Sequence, residues 1–207
     1  MLYGWITKYK KKGARAMESL ENLKKEYIKK YSGIKLVFGE GNINSKIFLI
    51  GEAPGGDEEK KGRPFVGKAG KNLDEFMEIA GLNRNEIYIT NVVKLRPYKE
   101  NPSTMRKSNR TPTEKEIADF LPLLKKELSV INPGLVVTLG NVPLKAVTED
   151  KSASIGKMHG NVINLENGIK LFPLYHPAAV IYNSSLKETY INDLHKLRAL
   201  IDCIENI

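Results

Sequence analysis

Four short apolar runs, each followed by glycine or polar residues, constrain the fold of this chain more than any other feature. They are residues 47–50, 87–89, 135–137 and 169–172, and β-branched side chains are frequent in them. The first and third are apolar throughout, which is typical of strands buried on both faces of a parallel sheet. Helical patterns separate the runs. Alternation of strands and helices predicts an α/β fold with right-handed crossovers, a parallel sheet and covering helices.

The helical patterns have recognisable starts and stops. Apolar residues at i, i+3, i+4 and i+7 over residues 73–80 predict a helix that ends at Gly81. Thr113 and Glu116 match a capping box at the start of another helix, which Pro122 is expected to interrupt and kink. Residues 14–31 and 190–204 are expected to form an N-terminal and a C-terminal helix.

Polar residues follow the predicted strands at the ends where ligands bind in open parallel sheets. Glu52 follows the first strand, Asn91 the second, Asn141 the third and His176 the fourth. Because the carboxyl ends of parallel strands meet at one edge of the sheet, an acid, an amide and an imidazole should converge in one crevice.

Length and composition exclude several classes of protein. The 207 residues fit a single domain spanning 1–207. One cysteine, Cys203, excludes an intramolecular disulfide and any site built from four thiolates. No apolar run approaches the roughly 20 residues that span a bilayer, and the N-terminus is too polar for a secretory signal. We therefore expect a cytoplasmic monomer with no membrane partner.

The net charge of +9 is concentrated in two segments. Residues 1–33 carry a net charge of +6 and residues 94–110 carry +5, so the remaining residues sum to −2. We interpret 1–33 as a basic N-terminal helical segment and 96–112 as a basic loop. Such segments fit a polyanionic partner, but they equally fit a solubilising tail and a solvated loop.

Each candidate site residue also has a structural interpretation. Phe65, between Pro64 and Gly67, fits either a stacking platform or a plug of the core. Asn91 can read a base edge or cap a turn. His176 can donate to a developing oxyanion or serve packing alone, and Glu52 can act in the crevice or face water. His159 and His195 lack partners at ligand spacing, so no metal site is predicted.

At these residues the chain resembles the uracil-DNA glycosylase superfamily, most closely its family 4. The resemblance covers roughly residues 36–183 and is carried, in the family's order, by residues 37–70, 89–94 and 176–179. It implies a three-layer α/β/α fold with a central four-stranded parallel sheet. It also implies an enzyme of base excision repair that flips uracil out of DNA and hydrolyses its N-glycosidic bond.

The resemblance assigns roles to individual residues. It implies catalytic roles near the sugar and the attacking water for Glu52 and Glu58, and near uracil O2 for His176. It implies that the base is bound by Ala53, Phe65, Asn91 and His176. It implies a wedge into the duplex at Val180 and Ile181. On the basis of their charge, we also expect DNA contacts by Lys68, Lys94, Arg96, Arg106, Lys107 and Arg110.

The chain departs from the family at its cofactor. Family 4 members usually hold a 4Fe-4S cluster on four cysteines, and the corresponding positions here fall near Lys24, Tyr27, Leu95 and Ala118. A cluster needs thiolates, so we expect no cofactor, with apolar packing by Leu95 instead. The segment from Arg96 also looks longer than usual.

Three functions remain compatible with the sequence. The first is a monofunctional glycosylase acting on uracil in single- or double-stranded DNA. The second is a glycosylase for another lesion base, such as hypoxanthine or a modified pyrimidine. The third is a DNA-binding homologue without catalysis.

Overall fold

The computed structural model describes residues 14–165 and 168–205, and it is built on one mostly parallel sheet. Within these residues the sheet has six strands: β1 (Glu40–Gly41), β2 (Ile47–Gly51), β3 (Tyr88–Asn91), β6 (Leu135–Leu139), β7 (Ile163–Asn164) and β8 (Lys170–Leu174). The spatial order is β1-β3-β2-β6-β8-β7. The four central strands are parallel, as expected, and β1 and β7 extend the edges with short antiparallel pairs.

Helices cover both faces of the sheet because its central strands are apolar on both sides. β2 and β6 are buried along their whole length, as their continuous apolar sequences predict. One core contains Phe48, Ile50 and Val136, and the opposite core contains Leu49 and Val137. The alternation of side chains along each strand therefore divides the interior into two layers.

The helices follow the sequence patterns closely. They are α1 (Ala14–Lys30), α2 (Gly56–Lys61), α3 (Lys68–Ile79), α4 (Glu114–Ile131), α5 (Asn141–Thr148), α6 (Ile155–Met158), α7 (Pro177–Tyr182) and α8 (Lys187–Glu205). A 3₁₀ turn spans Ser184–Leu186. The capping box is confirmed: Glu116 N donates to Thr113 Oγ1 at 3.2 Å, and Thr113 N donates to Glu116 Oε2 at 2.7 Å. α4 continues through Pro122, which does not interrupt it.

The basic segment after β3 is an ordered hairpin, where the sequence suggested a loop. β4 (Tyr98–Glu100) pairs antiparallel with β5 (Lys107–Asn109), and all six residues are exposed. Lys107 Nζ lies 4.2 Å from the centre of the Tyr98 ring, a cation–π contact across the two strands. Of the basic N-terminal segment, residues 1–13 lie outside the described part of the chain. No helix among the described residues is long and apolar enough to cross a membrane.

Candidate active site

A crevice of about 300 Å³ opens at the carboxyl edge of the sheet, where the sequence predicted convergence. Loops after β2 and β3, the starts of α2 and α3, the hairpin and α7 all contribute to it. Its wall consists of Ala53, Gly55, Gly56, Asp57, Glu58, Phe65, Gly67, Lys68, Ala69, Asn91, Asn109, His176, Ala178, Ile181 and Tyr182. An amide, an imidazole and an aromatic ring from distant parts of the chain therefore share one concave surface.

The hydrogen bonding of His176 determines which ring nitrogen carries the proton. His176 caps α7, and its Nδ1 accepts a hydrogen bond from Ala178 N at 3.1 Å. A nitrogen that accepts from an N–H bears no proton, so the neutral ring is protonated on Nε2. Burial lowers the pKa of His176 to about 4, although the negative charge of Glu58 opposes this shift. At neutral pH the ring is therefore an uncharged donor.

Phe65 lies beside this imidazole in a strained backbone conformation. Its φ is +51°, an uncommon value for a side chain of this size, and the ring is buried. The Phe65 and His176 ring centres are 6.3 Å apart, with 29° between their planes. A Cβ on Gly70 would overlap the Phe65 carbonyl, so a glycine is needed there for α3 to approach the loop.

Asn91 is the last residue of β3, and a buried lysine bonds to its backbone. Its side chain is almost fully buried, and a Cβ on the neighbouring Gly51 would overlap both Asn91 Oδ1 and the Phe65 ring. Lys94 Nζ donates to the main-chain carbonyl oxygen of Asn91 at 2.6 Å. The close approach at Gly51 brings the amide and the aromatic ring together at the base of the crevice.

The two carboxylates of the first motif have different environments. Glu52 directly precedes Ala53 in the wall, although Glu52 itself is not part of the wall, and burial raises its pKa. Glu58 Oε1 accepts from Val66 N at 3.0 Å and Gly67 N at 2.7 Å, and Oε2 accepts from Gly55 N at 3.1 Å. Both oxygens of Glu58 are thus engaged in holding the two loops that frame the crevice.

Two of the expected DNA contacts are corrected by burial. Lys94 has no exposed surface, and its Nζ lies 2.6 Å from Glu127 Oε2 in a fully buried ion pair. A phosphate therefore cannot reach it in this structure. Val180, expected to enter the duplex, is 7% exposed and packs in the core. The adjacent Ile181 and Tyr182 lie in the crevice wall instead.

The remaining expected DNA contacts fall into two groups. Lys68, Arg106 and Lys107 are exposed. Arg96 and Arg110 are partly buried and already paired: Arg96 Nη1 lies 3.2 Å from Glu59 Oε2, and Arg110 makes two 2.7 Å bonds to the Glu116 carboxylate. These two arginines anchor the hairpin at its base.

Sequence reasoning missed Asn109, which the hairpin brings to the crevice wall. Asn109 Oδ1 accepts from Arg96 Nε at 2.8 Å, so Nδ2 is the end that faces Gly55. Asn109 follows Arg96 by thirteen positions in the sequence, and the β4–β5 pairing brings the two residues together. No local pattern marks Asn109, because its position depends on where the hairpin folds.

Comparison with known proteins agrees with this geometry. The model of the uracil DNA glycosylase superfamily matches residues 38–198. The chain is 37% identical to a type-4 uracil-DNA glycosylase of Thermotoga maritima, covering 89% of this chain and 96% of the relative. It is 40% identical to a type-4 uracil-DNA glycosylase of Sulfurisphaera tokodaii, covering 89% and 86%.

This chain belongs to the uracil-DNA glycosylase superfamily. A type-5 uracil-DNA glycosylase of Pyrobaculum aerophilum is also similar, at 29% identity over 79% of this chain and 76% of the relative. The resemblance noted in the sequence is thereby confirmed at the level of the family. The superfamily fold is confirmed too, with four parallel strands at its centre.

The positions where the resemblance to family 4 implies cluster ligands carry residues that do not fit an iron–sulfur cluster. Lys24, Tyr27, Leu95 and Ala118 offer no thiolate, and Cys203 lies exposed on α8. Among the described residues, no group of three or more His, Cys, Asp or Glu side chains could hold a metal ion.

An aromatic contact occupies the interface of α1 with α4. The Tyr27 and Phe120 ring centres are 5.3 Å apart, and those of Tyr31 and Phe120 are 5.0 Å apart. The Asp119 carboxylate accepts from Tyr31 and pairs with Lys30, and the Asp119 carbonyl accepts from the Tyr27 hydroxyl. Ring packing and polar bonds join the two helices here.

Proposed function

We propose that this protein is a monofunctional uracil-DNA glycosylase, which hydrolyses the N-glycosidic bond of deoxyuridine in DNA and leaves an abasic site. The observation that carries the proposal is the crevice itself. A neutral imidazole with its proton on Nε2, a buried aromatic ring and an amide face one cavity of about 300 Å³ in a member of this superfamily. The groups suit one planar, uncharged base.

Base recognition follows from the chemistry of Phe65 and Asn91. A base enters the crevice after it is flipped out of the helix, at a cost of a few kcal/mol. Stacking on Phe65 offsets about 1–3 kcal/mol of that cost. The Asn91 amide pairs one acceptor and one donor with the N3–H and O4 edge of uracil, whereas cytosine presents the opposite pattern there.

His176 acts as a hydrogen-bond donor to the departing base. Bond cleavage places negative charge on the uracil ring, and Nε2–H stabilises that charge at O2. A well-placed donor of this kind contributes roughly 2.7–4 kcal/mol to the transition state. Because the pKa of His176 is lowered to about 4, the ring works as a neutral donor at pH 7.

The two carboxylates, Glu52 and Glu58, have different roles in the proposed reaction. Positive charge develops on the sugar in an oxocarbenium-like transition state, which an ionised carboxylate stabilises while it orients water. We assign this role to Glu52, which directly precedes Ala53 of the crevice wall. Glu58 is assigned a positioning role, because its three backbone donors already use both of its oxygens.

DNA binding is assigned to exposed cations around the crevice. Lys68 lies in the crevice wall, and Arg106 and Lys107 are exposed on the hairpin that also supplies Asn109 to this wall. Each phosphate contact releases a counterion and contributes to affinity. We propose that the protein acts as an intracellular monomer on uracil in single- or double-stranded DNA.

We propose further that activity does not depend on an iron–sulfur cluster. The support is chemical: the family's ligand positions carry lysine, tyrosine, leucine and alanine, and aromatic packing joins α1 to α4. Purified protein should show no iron by elemental analysis and no charge-transfer absorbance. Activity lost on exhaustive chelation and restored by iron and sulfide would contradict this.

The test of function is product identity. Uracil-containing single-stranded and duplex oligonucleotides are incubated with the protein, and free base and abasic DNA are measured by mass spectrometry. Parallel substrates carry hypoxanthine or a modified pyrimidine, and His176→Ala serves as the inactive control. Release of uracil alone supports the proposal. Release of another base in preference, or binding with no release at any salt concentration, would establish one of the alternative functions.

A further inference from the structure

Tyr182 is the most exposed large apolar side chain among the residues that the structure describes. It is 83% exposed, yet it lies in the rim of the crevice beside Ile181. Single exposed apolar residues are common on protein surfaces and need no explanation by themselves. The position of this ring, at the mouth of a cavity that must receive a base from a stacked strand, is what distinguishes it.

Hydrogen bonds hold the backbone around Tyr182. Tyr182 ends α7, and Asn183 N closes that helix by donating to the Ala179 carbonyl at 2.9 Å. The Asn183 side chain then accepts from Ser185 N at 3.1 Å and from Ser185 Oγ at 2.7 Å. A tyrosine on such a scaffold loses little conformational entropy when it binds, since its side chain has two rotatable bonds.

The spacing of Tyr182 from His176 along α7 also suits a contact with a neighbouring nucleotide of the strand. Tyr182 is six residues beyond His176, which corresponds to about 9 Å along a helix axis. A flipped base lies off the strand, and the neighbouring bases stay near the backbone that enters the crevice. Extrusion leaves one face of a neighbouring base without its stacking partner.

We propose that Tyr182 stacks on the base adjacent to the extruded nucleotide in the same DNA strand. This inference rests on the proposed function, and it adds Tyr182 to the segment where the sequence predicted a wedge at Val180 and Ile181. An aromatic ring accepts any nucleobase by its π-face, so the contact is independent of sequence. It also works on single-stranded DNA, because it needs no opposite strand.

The experiment uses the full-length protein and an oligonucleotide that cannot be cleaved. A single strand carries 2′-fluoro-2′-deoxyuridine with 2-aminopurine beside it, and both dissociation constant and 2-aminopurine fluorescence are measured. Variants are Tyr182→Ala and Tyr182→Phe. Ile28→Ala, which removes an exposed apolar side chain from α1, is the matched control.

Stacking predicts a specific pattern of results. Tyr182→Ala should weaken binding about tenfold and raise the bound-state fluorescence, because the neighbouring base loses its partner. Tyr182→Phe and Ile28→Ala should stay within about twofold of the parent protein in both readouts. Equal weakening by Phe and Ala would assign the effect to the hydroxyl and overturn stacking, as would a Tyr182→Ala protein indistinguishable from the parent.

Failure of this inference is distinguishable from failure of the proposed function. Uracil release from ordinary substrate by the parent protein tests the function and does not depend on Tyr182. Binding and fluorescence on the uncleavable strand test the stacking contact without any turnover.

Discussion

The buried ion pair between Lys94 and Glu127 offers a prediction in which stability and activity separate. Lys94 Nζ donates to Glu127 Oε2, Thr90 Oγ1 and the Asn91 carbonyl, each at 2.6 Å. Glu127 also accepts from Thr90 Oγ1 at 3.0 Å and from Gly39 N at 3.3 Å. Both charged side chains are completely shielded from solvent.

Removing one charge leaves the other buried without compensation. We therefore expect Lys94→Met and Glu127→Gln each to lower the free energy of unfolding by about 3–5 kcal/mol. In the double variant no charge remains: the glutamine carbonyl can still accept from Gly39 N, and its NH2 group can donate to Thr90 Oγ1. The double variant should lose only about 1–3 kcal/mol, so the two losses are far from additive.

Activity should not recover with stability. The double variant lacks the ammonium that bonds to the main-chain carbonyl of Asn91, so the backbone that carries the base-reading amide is less firmly positioned. We expect its kcat on uracil-containing DNA to stay about tenfold or more below the parent value, since small displacements of positioned groups are costly.

Urea unfolding followed by circular dichroism measures the stability cycle, and single-turnover uracil release measures activity. If the double variant lost as much unfolding free energy as the two single variants together, the idea that each charge mainly compensates the other would be refuted. Full activity in the double variant would refute the positioning of Asn91 by Lys94.

Three further predictions concern the crevice and its approach. His176→Ala should lower kcat by about 10²–10³-fold with little change in DNA affinity, and equal losses in both would contradict its transition-state role. Burial raises the pKa of Glu52, and kcat/KM should fall as the pH drops through that pKa because the ionised carboxylate is required. Glu52→Gln should remove this acid limb of the pH profile. An acid limb that persists in the variant would assign the titration to another group. Arg106→Ala/Lys107→Ala should reduce the slope of log K against log salt concentration by up to about 2, and an unchanged slope would leave the hairpin without phosphate contacts.

Local sequence patterns predicted the elements of the fold well because their physical causes are local. Apolar runs without interruption marked β2 and β6, and the Thr113–Glu116 capping box marked the start of α4. The order of strands and helices then implied that Asn91 and His176 meet at one edge of the sheet, and they do. Each of these inferences uses contacts within a few residues or a general rule of handedness.

The positions of individual side chains were less predictable because they depend on distant partners. Lys94 looks like a DNA contact in sequence, but Glu127, 33 residues away, neutralises it in the interior. Val180 follows the histidine motif where a wedge is expected, but the short helix α7 turns it into the core.

The sequence by itself determined the α/β class, the crevice at the carboxyl edge and the family, because periodicity and motifs can be recognised without knowledge of packing. What only the tertiary structure decided was the state of each group. The occupied oxygens of Glu58 and the position of Asn109 arise from contacts between separate segments. The lowered pKa of His176 arises from its burial in the folded chain, and the exposure of Tyr182 depends on what the fold leaves uncovered. The physical reason is that desolvation and hydrogen bonding set protonation, orientation and reach, and both depend on what lies nearby in space.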